Sequence, residues 1–414
     1  SFIPIALCQI YPVSNEFLIN NFTNDLQESP TGQYLHNNHL IVLWTTKTQF
    51  SNSYDIAAQL FHTNGTKIGQ EHIINSFITD DQTAPQVASV NNTYFIVWTS
   101  NNQDGSNLGI YGQLYHLNGT KYNNEIQINT YTNLHQKNPS ITDMNDMYII
   151  TWESYQDGSL YGIYCKTYLY NGTEKNPEFK VNTYITDSQT NPIVKSIRDY
   201  FVIVWISNAQ DSSGGGIYAQ MYYYNCTKKN SEFRINSFTL NNQIAPAISE
   251  TDDGYVVVWI SNHDTSYDIY SKFFFDNGTA KSANEFIVNN YIPDIQDKPD
   301  VKKLNNNYLY VWHSHETTAI RIYMRLYPHH QMKLNNYNAT SQTMPIIVKI
   351  NDTYVLILWQ QINDSHTDIF GQFFTTTNTS SAFRNPTSTI SLSISPSNSL
   401  SNSLSNSLSN SLSN

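Results

Sequence analysis

Seven tryptophans, and no others, stand at Trp44, Trp98, Trp152, Trp205, Trp259, Trp312 and Trp359, separated by 54, 54, 53, 54, 53 and 47 residues. Each sits in an equivalent apolar phrase: HLIVLW, YFIVWTS, YIITWES, FVIVWIS, YVVVWIS, YLYVWHS and YVLILWQ. A fixed period of this length means one supersecondary unit written seven times. Such a unit cannot bury its apolar face alone and must stack on copies of itself.

The copy that begins at Pro85 reads PQVASV, TYFIVWTS, IYGQLYH and NEIQIN, separated by NN, NNQDGSNLG and LNGT. Apolar and polar residues alternate with period two in IYGQLYH and EIQIN, and Val, Ile, Tyr and Phe dominate, which is strand patterning. The interruptions are turn chemistry. Each module is therefore predicted to be four short antiparallel strands, A to D in chain order.

The ends of the chain define how the modules close. The stretch NEFLINNFTNDLQESP, residues 15–30, matches EFKVNTYITDSQTNP and EFRINSFTLNNQIAP, so the chain opens with a D strand. The seventh module decays after DIFGQFF without a D strand of its own. One shared sheet between the two termini closes a ring, and radially arranged four-stranded sheets closed in this way form a β-propeller. The expected fold is all-β: a seven-bladed β-propeller whose last blade is completed by the N-terminal strand, with the seven Trp side chains filling the gaps between blades. The expected organisation is a leader remnant or N-terminal extension over 1–14, the propeller over 15–380, and a flexible tail over 381–414. In the tail, SLSN repeats lack the aromatic residues and charge that a packed element would need.

The phrase W-x-S-x-x-QDGS-x-x-GIYGQ, followed by NGT and EF-x-VN-x-YT-x-x-x-Q-x-x-P, resembles the roughly 50-residue repeats of large secreted or surface proteins of bacteria and protists, often beside cadherin-like modules. NNQDGSNLGIYGQLYHLNGT and YQDGSLYGIYCKTYLYNGT are the fullest copies, and the pattern runs from Glu16 to about Phe374. The resemblance implies propeller architecture and a surface location, and no catalytic assignment.

Composition narrows the partners. The net charge is −11, without a basic run. Nucleic-acid backbones need clustered Lys and Arg, so they are not expected partners. No apolar stretch is long enough for a membrane-spanning helix. The three cysteines, Cys8, Cys165 and Cys226, make no disulfide framework. Sequons point instead to an extracellular or cell-surface glycoprotein, with Asn64, Asn91, Asn118, Asn171, Asn225, Asn277 and Asn351 as the acceptors. The turn itself requires Asn-Gly and not the Thr, and at Asn225 the Gly is lost while the sequon survives.

These acceptors fall on the A–B and C–D turns, leaving the opposite face, built by the D–A and B–C loops, open for contact. Its B–C loops repeat an Asp at Asp104, Asp157, Asp211 and Asp264. These are either oxygen ligands for Ca²⁺ or Asx turns satisfying their own backbone. No other cofactor is indicated. A second group, His263, His313, His315, Glu316 and His366, lies on loops of consecutive blades beside Asp264, Asp364 and Asp368. Imidazole with carboxylate suits a transition metal. Nucleophile-elbow, phosphate-loop and zinc-protease motifs are missing, which lowers the weight of catalysis. The expected function is a binding or adhesion module for a protein or glycan. An extracellular glycan-processing enzyme with an acidic central site and a structural spacer of a larger surface protein are the alternatives.

Overall fold

The computed structural model describes residues 7–47, 53–158, 160–262, 266–290, 295–334, 341–363 and 366–379. Residues 8–378 form one compact unit; the other, residues 1–7 and 379–414, lies almost wholly outside the described residues, as does the expected tail. Every regular element described is a strand, and the strands form seven antiparallel sheets. Blade 2 is typical: strand A Gln82–Val90, B Thr93–Asn101, C Leu108–His116 and D Ile126–Gln127. Six of the seven sheets pair their strands in sequence order, so each strand of those blades lies beside the next one in the chain.

The seventh blade joins the two ends of the chain. Its A, B and C strands are Ser341–Lys349, Tyr354–Ile362 and Thr367–Thr379. Phe17–Leu18 supplies its D strand, pairing Phe17 with Gly371 and Leu18 with Phe370. A further strand, Leu7–Pro12, also pairs with Thr367–Thr379 and buries Cys8 and Ile10 against blades 6 and 7. The seventh sheet thus has five strands where the sequence predicts four.

The core lies between blades. Seven apolar clusters each join two neighbouring blades, and each contains one Trp at 0% exposure. Trp44 seals the joint between blades 7 and 1 together with Ile19, which follows the Phe17–Leu18 strand. The sequence motif Q-x-x-P has a matching structural role. Its Gln is buried, and in three blades it accepts the indole N–H: Gln27 from Trp44 at 2.8 Å, Gln82 from Trp98 at 3.2 Å and Gln296 from Trp312 at 2.9 Å. Its Pro follows a β-bulge. In all seven A strands the residue before Pro has φ between 50° and 54°, from Ser29 in blade 1 to Met344 in blade 7. Pro cannot donate to the ladder, so it fits where the ladder is interrupted.

Candidate functional site

The D–A and B–C loops of the open face are held by a repeated polar relay. The Asn that ends each EF-x-IN phrase is buried and spans strand C and the D–A loop. Asn129 Oδ1 accepts the Ile110 N–H at 2.7 Å, while its Nδ2 donates to the Tyr131 carbonyl at 2.8 Å. Asn20, Asn75, Asn182 and Asn236 make the same pair of bonds. The Glu of the phrase reaches across to the preceding blade. Glu125 accepts the Ser76 N–H at 2.8 Å, Glu178 the Thr130 N–H at 2.6 Å and Glu285 the Ser237 N–H at 3.0 Å. Glu71 and Glu232 do the same, and Gln331 takes the role in blade 6. The Gln of QDGS then donates to that Glu from the B–C loop, as Gln156 does to Glu178 at 2.8 Å.

This relay accounts for the loop aspartates. Asp104 Oδ1 accepts the Ser106 N–H at 3.0 Å, an Asx turn, and its Oδ2 accepts from Gln127 at 3.1 Å. Asp157 is paired with Lys180 and accepts from Asn182 at 2.9 Å. Asp211 accepts the Ser213 N–H at 3.3 Å. Each carboxylate lies over a glycine in the first two residues of strand C: a Cβ on Gly109, Gly162 or Gly216 would come within 3.0, 2.5 or 2.9 Å of its Oδ2. The glycine of QDGS-x-x-G is therefore required by the aspartate. The three stand on three successive blades, each bonded within its own blade, and Asp264 lies outside the described residues.

The relay leaves apolar side chains displayed on the same loops. Ile78, Leu134, Ile185, Phe238, Leu240 and Ile295 come from the D–A loops of five blades in succession, with Ile78 60% and Leu240 62% exposed. Between blades 3 and 4 a groove of about 730 Å³ is lined by Thr183, Tyr184, Gln210, Gln220, Lys228 and Glu232. Sequence reasoning missed this apolar set because single aliphatic residues in polar loops carry no periodic signal.

The expected metal residues separate. Glu316 accepts from Tyr323 at 2.5 Å and pairs with Lys333 at 2.7 Å. His366 meets Asn363 at 3.2 Å and Asp368 at 3.5 Å. His263 lies outside the described residues. His313 and His315, with ring centroids 5.4 Å apart, are joined instead by Asp297, which the sequence reading did not include. Asp297 sits on strand A of blade 6 in register with His313 on strand B. His313 also has a packing role: its Nδ1 accepts the bulge N–H of Met344 in blade 7 at 3.3 Å. In the same place after their Trp, Thr99 accepts the N–H of Asn138 at 3.2 Å and Glu153 that of Asn191 at 2.7 Å. A ring accepting at Nδ1 carries its proton on Nε2, which faces Asp297 Oδ2 at 3.8 Å. Burial, joined by His315 and Lys298, outweighs the pull of Asp297 and pushes the His313 pKa down to about 4.

The A strands enclose a central channel of about 550 Å³. Its charged side chains are Asp143, Lys195, Lys298, Asp300 and Lys302, and beyond them Glu250 lies 3.5 Å from Lys195 and 3.6 Å from Lys349 of blade 7. Burial works against charge on Glu250, yet Lys195, Lys349 and Lys302 bring its pKa down to about 2. Burial pushes Asp143 up, with Lys195 opposing.

On the other face, the sequons occupy C–D and A–B turns. Asn64, Asn91, Asn118, Asn225, Asn277 and Asn351 are exposed, and Asn171 is half-buried. The Thr has its own structural reason. Thr66, Thr120, Thr227, Thr279 and Thr353 donate Oγ1 to the Asn Oδ1 two residues back at 2.6–3.0 Å. This corrects the premise that the turn does not need the Thr. Cys226 holds φ 63° where other blades place Gly.

No family model and no curated protein matches the chain. Solved structures share its fold. A protein of unknown function from Dyadobacter fermentans is 9% identical with TM-score 0.53, over 90% of this chain and all of that one. The β-propeller domain of the trilobed protease from Pyrococcus furiosus, described as having an open Velcro topology, is 9% identical with TM-score 0.52, over 86% and 94% of the two chains. Uncomplexed acylaminoacyl peptidase from Pyrococcus horikoshii is 11% identical with TM-score 0.50, over 85% of this chain and 52% of the peptidase. At these identities the likeness is one of fold.

Proposed function

We propose that this propeller is a binding module that presents its D–A and B–C loop face to an extracellular protein or glycan. The observation that carries the reading is the run of exposed apolar side chains on that face, Ile78, Leu134, Ile185, Phe238, Leu240 and Ile295. Exposed apolar side chains repeated on the same loop of successive blades offer anchor points on one face, and a rigid display lowers the ordering cost of binding. The polar groove with Tyr184, Lys228 and Glu232 supplies the hydrogen-bonding chemistry a sugar would use. The loop carboxylates add little to recognition, because they are bonded within their own blades.

The surface location rests on the exposed sequon turns of the opposite face. Expression through a eukaryotic secretory pathway, followed by glycopeptide mass spectrometry, tests it. Occupancy at Asn64, Asn118, Asn225 and Asn277 supports the reading, and unmodified peptides there overturn it.

The binding reading is tested by printing glycans and candidate surface proteins on an array and probing with the chain. Selective signal that is lost on Ile78→Asp, Ile185→Asp and Leu240→Asp supports it. A hydrolytic reading draws on one feature, the opposite shifts of Asp143 and Glu250 beside the channel. Glu250 is held between two lysines, which suits an ion-pair lock better than a nucleophile. Glycan turnover that disappears in Asp143→Asn would favour hydrolysis.

A further inference from the structure

We propose that Asp297, His313 and His315 form a binding site for a first-row divalent metal ion, with Zn²⁺ as its reference ligand, at the open-face edge of blade 6. One ligand atom from each lies within 4.8 Å of the others, and among the described residues this is the one such set of three. Cross-strand register places Asp297 opposite His313, and His315 follows two residues along the same strand face. Asp297 Oδ1 already accepts the Lys298 N–H at 2.6 Å, which leaves Oδ2 directed at His313. Two imidazoles and a carboxylate suit Zn²⁺, Co²⁺ or Ni²⁺ and leave positions open for water or a group from a bound partner.

The repeat supplies an internal control. The three equivalent places hold Thr83, Thr99 and Asn101 in blade 2 and Thr190, Ile206 and Asn208 in blade 4. No other blade puts more than one His, Asp or Glu there. Blade 6 departs from its siblings at three positions, separated in sequence, that the fold brings together. The bulge-capping role of His313 explains none of the other two, and Thr99 and Glu153 perform it without a metal set.

Coordination needs contraction, because Zn–N and Zn–O bonds are about 2.0–2.2 Å. The Asp297 side chain, 36% exposed, has room to swing. Binding at Nε2 of His313 moves the ring proton to Nδ1 and releases the contact to the Met344 N–H. That contact, at 3.3 Å, is the longest of the three equivalent ones.

Titration calorimetry of the full chain with ZnCl₂ after chelation, and the visible spectrum of a CoCl₂-loaded sample, test the site. His313→Thr keeps a bulge-capping hydroxyl, as Thr99 does, while removing the ligand. The expected result is about one tight equivalent in the wild type and a loss of at least about tenfold in affinity in His313→Thr and in Asp297→Asn. His315→Ser, outside the bulge contact, is the second variant should His313→Thr fail to fold. Wild-type binding matched by His315→Ser, or no tight equivalent in the wild type, overturns the assignment.

Discussion

At the residue scale, the seven tryptophans share a position but not a partner. Trp312 donates to Gln296 at 2.9 Å, whereas the Trp205 indole N–H has no hydrogen-bond partner among the described residues. Gln189, the matching acceptor, takes a bond from Asn182 at 3.0 Å instead. Removing the indole N–H should therefore cost more where it is bonded. Trp312→Phe is expected to destabilise by about 1 kcal/mol more than Trp205→Phe in urea unfolding, while Trp→Ala at either place costs about 3–5 kcal/mol. Equal costs for the two Phe variants would contradict the bonding pattern. The Trp phrase was legible in the sequence because buried strand patterning and period are local. Its bonding partner was not, since the Gln oxygen can accept from either the Trp or the Asn, and only the folded blade shows which of them reaches it.

At the scale of the element, blades 1–6 each reach back to the preceding D–A loop through one side-chain acceptor. Glu125 caps the Ser76 N–H from the neighbouring blade while receiving Gln103. Glu125→Ala should cost about 1–2 kcal/mol, and hydrogen exchange at Ser76 should speed up. Glu125→Gln should recover most of that, because Gln331 performs the same role for Asn290. Equal losses in the two variants would mean that the charge, and not the acceptor, matters. The QDGS and EF-x-IN phrases were visible as repeats, but their meaning was hidden: Gln, Glu and capped amide come from three separate loops. The same blindness explains the metal residues. His313 and His315 stand out in the sequence, while Asp297 is an ordinary strand residue until register sets it opposite His313.

At the scale of the whole molecule, closure and charge act together. Phe17 and Ile19 complete the last blade, and Glu250 of blade 5 reaches Lys349 of blade 7 across the channel. Closure was legible because the unpaired D strand at one end matched the missing one at the other. The extra strand Leu7–Pro12 was not, since its residues follow no module. A Glu250 pKa near 2 against an ordinary value of 4.5 means that its stabilising contribution is fully present above about pH 4.5 and is lost as pH falls toward 2. The size is up to about 3 kcal/mol, reduced by solvent screening because the Glu250 side chain is 33% exposed. Glu250→Gln should flatten the acid limb of the melting-temperature profile between about pH 4.5 and about pH 2, the interval between those two pKa values.

The most direct test sets the two classes of open-face residue against each other on one binding array. One variant carries Asp104→Asn, Asp157→Asn and Asp211→Asn; the other carries Ile78→Asp, Ile185→Asp and Leu240→Asp. The predicted result is selective wild-type binding, lost in the apolar-loop variant at unchanged melting temperature. The aspartate variant should melt earlier yet bind as the wild type does while folded. Binding that survives the loss of the apolar side chains and vanishes with the aspartates would contradict the account.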